Sequence, residues 1–237
     1  MNVFDLSILN FLNTFAHRWE TFDSVVVFLL WNNFFKGGII MGFFWWAWAQ
    51  DDERALKREY LLLGFGLSIA SVIAARLLAL SLPFRERPLR NPLLDFQIPY
   101  TMDGSTLETW SSFPSDHAVV FFCLAAAIWF ASRRLGVVAA LYALIVISLP
   151  RIYTGVHYPT DVVAGAVLGW CIACFSKVRS LRIHLARPVL RWMEKQPGAF
   201  YGLLFLATFE LAELFSTLRV AAHPVTHLIK PFLQGLH

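Results

Sequence analysis

Long apolar runs alternate with short polar segments along most of the chain. A helix needs about 20 mainly apolar residues to cross the hydrocarbon core of a bilayer, and most of these runs approach that length. The pattern therefore predicts an all-α, polytopic transmembrane helix bundle with about six membrane helices. They are expected at residues 34–49, 60–83, 116–131, 136–150, 160–176 and 199–218.

The N-terminal part has a different pattern. Residues 3–16 place apolar side chains at helical spacing but include Asp5 and two asparagines, which favours an amphipathic helix in the membrane interface. Residues 22–49 are mainly apolar but carry Asn32, Asn33 and Lys36 midway. We therefore expect residues 34–49 to be the firm membrane part, either alone or as the second half of one long helix.

The chain is expected to form one bundle without a second domain, an internal repeat or a low-complexity tract. An N-terminal interfacial region covers residues 1–33, and the membrane core follows at 34–176. A basic cytoplasmic linker is expected at 177–198, and a last membrane helix with its tail at 199–237.

Glu210 and Glu213 lie within the last apolar run, where they share one helix face. Carboxylates are costly inside a membrane and often mark a functional site, so the pair is one candidate lining of a polar cavity. The alternative is that this helix reaches the interface or packs the two carboxylates against a basic partner. The sequence leaves both interpretations open.

Composition and charge narrow the class of protein. Of the residues, 57% are hydrophobic and 15% charged, and the mean hydropathy of +0.57 indicates an integral membrane protein. The net charge of +4 does not indicate nucleic-acid binding, because many of the basic residues lie at 54–58, 133–134 and 177–195, between apolar runs. Those segments are predicted to be cytoplasmic, which places loops 84–115 and 151–159 together on the outer face.

The cysteines do not predict a metal or redox site. Cys171 and Cys174 have CxxC spacing, but no second pair of ligands accompanies them. At this spacing in a lipid-buried helix, cysteines are typical of packing. No metal site is therefore expected.

Arg151, His157 and Asp161 place a cation, an imidazole and a carboxylate between two membrane helices. A guanidinium binds phosphate oxygens by bidentate hydrogen bonds, and an imidazole can attack phosphorus. Asp161, about one helical turn after His157, can fix the tautomer of the imidazole and stabilise its cation. This order of residues suits phosphoryl transfer, although an interfacial arginine, a capping aspartate and an incidental histidine would give the same segment.

Two further clusters share the outer side predicted for that segment. Arg87 follows the second predicted membrane helix and would neutralise oxygens of a transferred phosphoryl group. Ser115, Asp116 and His117 open the next helix, whose N-terminal N–H groups favour an anion. The Ser115 hydroxyl adds a donor and His117 can act as a general acid, although Ser115 and Asp116 are also typical of a helix cap.

Together the clusters resemble the signature of the type-2 phosphatidic acid phosphatase superfamily, which reads Lys-x6-Arg-Pro, then Pro-Ser-Gly-His, then Ser-Arg-x5-His-x3-Asp. Residues 151–161 match the third motif, with Pro150 in place of its serine. Residues 114–117 match the second motif, with Asp116 in place of glycine. This variant is similar to the bacterial undecaprenyl-pyrophosphate phosphatase branch, and the resemblance covers about residues 60–176.

The resemblance implies a helical membrane phosphatase that acts through a phosphohistidine and needs neither metal nor cofactor. By that resemblance His157 is the nucleophile, Asp161 orients it and His117 protonates the leaving group. The soluble vanadium-dependent haloperoxidases share these motifs, but the predicted membrane helices argue against their chemistry. The expected phosphate-binding residues are Arg87, Arg151, Ser115 and Arg85.

The first motif departs from the family pattern. Seven residues before Arg87, where the family has lysine, this chain has Leu80. Arg85, in the same loop as Arg87, and Arg76, one turn below Leu80, are the two candidate replacements. Helical side chains lean toward the N-terminus of their helix, so that of Arg76 would lean away from the site. We therefore expect Arg85 to bind phosphate in place of the lysine.

By analogy with the family, the expected substrate is undecaprenyl pyrophosphate, with other isoprenoid or glycerolipid phosphates as alternatives. The protein would lie in the bacterial inner membrane, with its site on the periplasmic or extracellular face and only lipid as a predicted partner. No nucleic-acid partner is expected, and the oligomeric state stays open. Two other activities remain possible: a non-hydrolytic lipid-phosphate binder or transporter, and a phosphotransferase that passes the phosphoryl group to an acceptor.

Overall fold

The computed structural model describes residues 2–50, 54–104 and 110–214. The end of the last predicted membrane helix and the C-terminal tail, residues 215–237, lie outside the described residues. Within them the fold is entirely helical, as the sequence predicts. The α-helices are α1 (Val3–Asn13), α2 (Glu20–Trp31), α3 (Ile39–Ala49), α4 (Arg54–Ser81), α5 (Asp116–Ala131), α6 (Arg133–Tyr142), α7 (Leu149–Tyr153), α8 (Pro159–Cys174), α9 (Arg179–Leu181), α10 (Arg187–Lys195) and α11 (Pro197–Ala212).

Short segments of other helical types join several of these α-helices. Wider, π-helical turns lie before α3, between α6 and α7, and before α10, and tighter 3₁₀ turns lie in the loop after α4 and after α8. The π-helical turns are Phe34–Gly38, Ala143–Ser148 and Arg182–Ala186, and the 3₁₀ turns are Pro88–Arg90 and Phe175–Lys177.

Among the described residues, the continuous helices Arg54–Ser81, Arg133–Tyr153 and Pro159–Lys177 are long and apolar enough to cross a membrane. The helices Glu20–Trp31 and Phe34–Ala49 together form a fourth candidate, bent by 63° at the break between them. The chain is therefore a multi-pass helical membrane protein. The predicted count of about six is not confirmed, because α5 and α11 are shorter apolar helices of 16 residues each.

Helix α5 is the centre of the bundle, with α4, α6 and α8 packed around it. Two glycines on α8 permit a close approach to α5: a Cβ atom at Gly169 would lie 2.1 Å from the Val119 carbonyl oxygen, and one at Gly165 would lie 2.8 Å from that of Ser115. Such distances are shorter than any van der Waals contact, so larger residues would force the two helices apart. This contact fixes the start of α8 against the start of α5.

The N-terminal helix α1 packs on α7 and α8. Leu9 is buried in a small apolar cluster with Ile152, Tyr158 and Val162, whereas Val3 and Phe11 are exposed. One apolar face and one exposed face agree with an amphipathic helix. Asp5 is fully buried, however, and faces the start of α8, which the sequence did not indicate.

Candidate active site

The predicted site residues meet at one end of the bundle, where α5 and α8 begin and α7 ends. A cavity of about 460 Å³ opens there. Five of the residues singled out in the sequence line it: Arg87, Asp116, His117, Arg151 and His157. The structure thus brings the three sequence clusters together, as their shared predicted side required.

His157 lies in the loop between α7 and α8, and this loop folds back on the end of α7. The N–H groups of Val156 and His157 donate to the carbonyl oxygen of Arg151 at 2.9 and 3.0 Å. Gly155 makes the turn with a φ of +70°, a region that favours glycine, and its carbonyl oxygen accepts from the Leu89 N–H at 3.0 Å. That bond ties the turn to the loop that carries Arg87.

The Nδ1 atom of His157 lies 2.8 Å from the carbonyl oxygen of Ser112 and 3.7 Å from Oδ2 of Asp161. A carbonyl oxygen only accepts, so this hydrogen bond assigns the proton to Nδ1 and leaves the lone pair of the ring on Nε2. The family resemblance gave this orienting role to Asp161. In this structure the closer partner is the Ser112 backbone, and Asp161 supplies a negative charge at longer range.

His157 is 5% exposed, and its burial lowers the pKa of the imidazole below its ordinary value. The positive charges of Arg87 and Arg151 lower the pKa further, while Asp161 acts in the opposite direction. The ring is therefore neutral at pH 7, as a nucleophile must be.

The Asp161 carboxylate is fully buried and fixed by its own helix and by one arginine. Its Oδ2 accepts from the Tyr158 N–H at 2.8 Å, which caps α8, and its Oδ1 accepts from Nη1 of Arg85 at 2.5 Å. Arg85 also lies over the Tyr158 ring, 4.1 Å from its centroid. The buried Asp161 carboxylate thus forms a charge-assisted pair with the half-buried Arg85.

Arg85 also bonds to the N-terminal helix. Its Nη2 donates to Oδ2 of Asp5 at 2.7 Å, and the N–H and hydroxyl of Thr160 donate to the same carboxylate at 2.8 and 2.7 Å. The structure therefore places Arg85 between two buried aspartates, and it does not line the cavity that Arg87 and Arg151 line. The sequence gave no sign of Asp5 beyond its being an acidic residue in an amphipathic helix.

Arg87 is 5% exposed and anchored through its guanidinium. Nη1 donates to the carbonyl oxygen of Val156 at 2.6 Å and Nη2 to that of Ser111 at 3.4 Å. Among the described residues, the buried Nε has no hydrogen-bond partner. Burial lowers the pKa of Arg87 to about 10, against the opposing charges of Asp161 and Asp116, so the side chain stays cationic at pH 7. An unsatisfied cationic donor at the cavity favours an anionic ligand.

Arg151 is the second arginine of the cavity and is 2% exposed. Its Nη1 donates to the carbonyl oxygen of Ile147, one turn earlier in the same helix. Arg151 and Arg87 each donate guanidinium hydrogen bonds to backbone carbonyl oxygens, which fixes the orientation of both side chains. The cavity therefore presents two preoriented arginines beside the neutral imidazole of His157.

The residues at the N-terminal end of α5 differ in whether they line the cavity. The buried Ser115 hydroxyl accepts from the Ala118 N–H at 3.5 Å as the N-cap, and Ser115 does not line the cavity. Asp116 lines the cavity and forms an ion pair with Arg76, which lies over the Trp110 ring at 5.1 Å. His117 lines the cavity directly.

Comparison with known proteins decides the family: the model of the PAP2 superfamily matches residues 60–184, which is more than half of the chain. The chain belongs to the PAP2 superfamily. It is accordingly an enzyme that hydrolyses phosphoric esters and acts on lipid phosphates.

Two curated relatives of this PAP2 enzyme extend beyond the family region. A protein of Bacillus licheniformis named bacitracin transport permease protein BcrC is 26% identical over 192 residues, which cover 81% of this chain and 88% of the relative. The undecaprenyl-diphosphatase BcrC of Bacillus subtilis is 23% identical over 198 residues, with 80% and 95% covered. No solved structure matches.

Three further polar residues of the PAP2 enzyme line the cavity although they were not predicted as site residues with assigned roles: Asn33, Lys36 and Glu213. The sequence signal for Lys36 was a cation midway in an apolar run, which indicated a helix break rather than a site. Glu213 was one of two open candidates, and the structure supports its placement at a polar cavity. Glu210 lies one turn earlier, and its Oε2 is buried without a hydrogen-bond partner among the described residues.

Within residues 2–50, 54–104 and 110–214 no group of three or more His, Cys, Asp or Glu side chains is arranged to hold a metal ion. Arg87, Arg151 and Lys36 are the arginine and lysine side chains, among the described residues, that line the cavity.

Proposed function

We propose that this PAP2 enzyme removes the terminal phosphate of an isoprenoid lipid diphosphate, with undecaprenyl diphosphate as the leading substrate. The Bacillus subtilis relative, which bears the name undecaprenyl-diphosphatase, aligns with 80% of this chain and supports the choice. The carrying observation is the contact of His157 Nδ1 with the Ser112 carbonyl, because it leaves Nε2 as the nucleophilic atom in a cavity lined by two arginines.

The reaction has two steps in this proposal. Nε2 of His157 attacks the terminal phosphorus, the bond from phosphorus to the bridging oxygen breaks, and His117 gives a proton to the departing lipid monophosphate. A water molecule then attacks the phosphohistidine, with His117 taking its proton, which releases inorganic phosphate and restores the neutral His157. Atoms and charge balance without a further reactant.

Arg87 and Arg151 stabilise the transferred phosphoryl group. Its negative charge spreads over three non-bridging oxygens in the transition state, and fixed guanidinium donors match that distribution. The unpartnered Nε of Arg87 is one donor available to such an oxygen. The N-terminal N–H groups of α5, held by the Ser115 cap, add a favourable dipole at the same cavity.

Arg85, Asp161 and Asp5 act on the nucleophile without touching the substrate in this proposal. The Asp161 charge, 3.7 Å from Nδ1, stabilises the imidazolium-like charge that develops on phosphorylated His157. Arg85 holds that carboxylate in place, and Asp5 holds Arg85. Arg85 is therefore proposed as a positioning residue, in place of the phosphate-binding role expected for it.

The membrane orientation is part of the proposal. The basic residues Arg54, Arg133 and Lys177 lie at the helix ends opposite to the cavity. The positive-inside rule then places the cavity on the outer face of the bacterial inner membrane. A cysteine introduced at the exposed Thr101, in a background lacking the native cysteines, should react with an impermeant maleimide in intact cells, and reaction only after permeabilisation would reverse the orientation.

The function is tested by phosphate release from lipid phosphates by the detergent-purified protein in the presence of EDTA. The panel contains undecaprenyl diphosphate, phosphatidic acid and phosphatidylglycerol phosphate. The proposal expects the highest kcat/KM for the isoprenoid diphosphate and a loss of at least about 10³-fold in the H157A variant. A preference for a glycerolipid monophosphate would overturn the substrate, and loss of wild-type turnover in EDTA would overturn the metal-free mechanism.

A further inference from the structure

The cavity contains one cation that the family signature does not describe, since Lys36 comes from the break between α2 and α3. We infer that Lys36 binds the phosphate group of the substrate, in the role that the family assigns to a lysine at the position of Leu80. This inference rests on the proposed function, which it completes by naming the missing phosphate ligand.

The backbone around Lys36 is built for this position. The α2–α3 span is bent by 63°, and Lys36 lies in the π-helical turn at the bend. Oδ1 of Asn32 accepts from the N–H groups of Phe34 and Phe35 at 3.0 and 3.3 Å, and the Tyr142 hydroxyl donates to the Phe35 carbonyl at 2.7 Å. The N–H groups of Phe34 and Phe35 and the Phe35 carbonyl are thus all hydrogen-bonded at the break. A break whose backbone groups are hydrogen-bonded is stable within a membrane.

The turn is also closed by packing. A Cβ atom at Gly37 would lie 2.1 Å from the carbonyl oxygen of Ala212, so glycine is required where the turn meets α11. π-Helical turns inside helices are frequent at functional sites, and broken membrane helices are tolerated where they line a cavity. Lys36 is thus held at the cavity by α2, α6 and α11 rather than by a flexible loop.

The burial of Lys36 agrees with its position in the lining of a polar cavity. Lys36 is 8% exposed and lies inside a predicted membrane run, where a cation is costly unless it faces a polar cavity or a partner. The same cavity contains the carboxylate of Glu213 as well as Arg87 and Arg151. Without Lys36, the two arginines would face Glu213 and an Asp116 that Arg76 already neutralises, which leaves little positive charge for a diphosphate.

The alternative cations are placed elsewhere. Leu80 is 84% exposed and lines a neighbouring apolar groove together with Arg76, Leu82 and Trp110, of which Trp110 also lines the catalytic cavity. Leu80 itself does not line the catalytic cavity. Arg85 is bonded to Asp5 and Asp161, and Arg76 to Asp116. Among the described residues that line the cavity, the lysine and arginine side chains are Lys36, Arg87 and Arg151.

The test compares K36M and K36R with the wild type and with K57M. Lys57 is a matched control because it is buried to the same degree, 9% exposed, near the beginning of α4 and away from the cavity. The readouts are kcat/KM on farnesyl diphosphate in detergent and the inhibition constant of inorganic phosphate. Loss of a charged hydrogen bond lowers affinity about 10- to 100-fold. K36M should therefore lower kcat/KM and raise the inhibition constant of phosphate by about that factor. K36R should change both values less, and K57M should change neither.

The remaining outcomes distinguish failure of the role of Lys36 from failure of the proposed phosphatase function. Wild-type kcat/KM and phosphate inhibition in folded K36M would overturn the role of Lys36 while leaving the phosphatase intact. A wild type that hydrolyses no lipid phosphate would overturn the proposed function instead, and phosphate-induced thermal stabilisation then tests Lys36 alone: a shift in the wild type that K36M lacks supports it, and any other result refutes it. If K36M is not recovered folded, K36Q is measured by the same readouts under the same criteria.

Discussion

Arg85 donates a hydrogen bond of 2.5 Å to the Asp161 carboxylate, which places a cation behind the candidate nucleophile and outside the catalytic cavity. A residue in that position acts on the reaction through His157. A residue that binds the phosphate group directly acts on substrate binding instead. The two roles are separable by kinetics, because one changes kcat and the other changes KM and the inhibition constant of phosphate.

We predict that R85A lowers kcat about 10- to 100-fold and leaves the inhibition constant of inorganic phosphate within about threefold. The reason is that Asp161 loses its guanidinium partner while Arg87 and Arg151 remain. R85K should recover only part of the activity, since an ammonium cannot bridge Asp161 and Asp5 as a planar fork does. R18A, an exposed arginine outside the cavity, is the control. Weaker phosphate inhibition without a change in kcat would restore Arg85 to the phosphate site.

We predict that D5A destabilises the protein by about 1–3 kcal/mol, because it leaves the half-buried Arg85 guanidinium and Thr160 N–H without the carboxylate that they bond. D5N keeps the hydrogen-bonding shape and should retain more stability, with kcat lowered in the same direction as in R85A. Thermal unfolding in detergent and steady-state kinetics measure the two effects, with E20Q on the exposed start of α2 as the control. Normal stability and turnover in D5A would show that Asp5 on α1 does not support the site.

The pH dependence follows from the burial of His157. A lowered pKa means that the imidazole stays neutral until the pH falls below its ordinary pKa of about 6.5, and protonation then removes the nucleophile. The acid limb of the profile of kcat/KM against pH should therefore have its midpoint below about 6.5. A midpoint clearly above that value would mean that the negative charge of Asp161 outweighs burial and the two arginines.

The Ser115 hydroxyl caps α5, so its removal should cost stability more than catalysis. We predict that S115A lowers the free energy of unfolding by about 1 kcal/mol and changes kcat/KM less than H117A does. Ser132 is a matched control, because it precedes α6 but makes no side-chain cap hydrogen bond. A loss of activity in S115A as large as that in H117A, with unchanged stability, would instead make Ser115 a phosphate ligand.

The sequence predicted the parts of this fold that depend on local pattern. Apolar runs of membrane length gave the helices, and the spacing of Arg151, His157 and Asp161 gave the loop and helix start that carry them. The charge bias placed the loops of Arg87 and His157 on one side, and the structure brings them within hydrogen-bonding distance through Val156. Motif spacing therefore predicted residues that the structure brings together at one cavity.

The contacts that the sequence could not give join distant segments. The partner of Arg85, Asp5, lies 80 residues away in a helix whose own pattern indicated only an interface. Lys36 reaches the cavity because a span breaks and bends, and hydropathy shows the break without its direction. The Ser112 carbonyl that contacts His157 is a backbone atom, so no residue type at that position would have signalled it.

Phosphorylation of Nε2 of His157 is the step on which the proposed mechanism depends. The most direct measurement is rapid-quench trapping with an isoprenoid diphosphate carrying a radiolabelled terminal phosphate, followed by peptide mapping. A phosphohistidine at this position should give an acid-labile, alkali-stable label on the peptide that contains His157. The label should be absent in H157A and unchanged in H184A, whose histidine lies at the opposite end of the bundle in the π-helical turn before α10. Label on another residue, or turnover that persists in H157A, would contradict this mechanism.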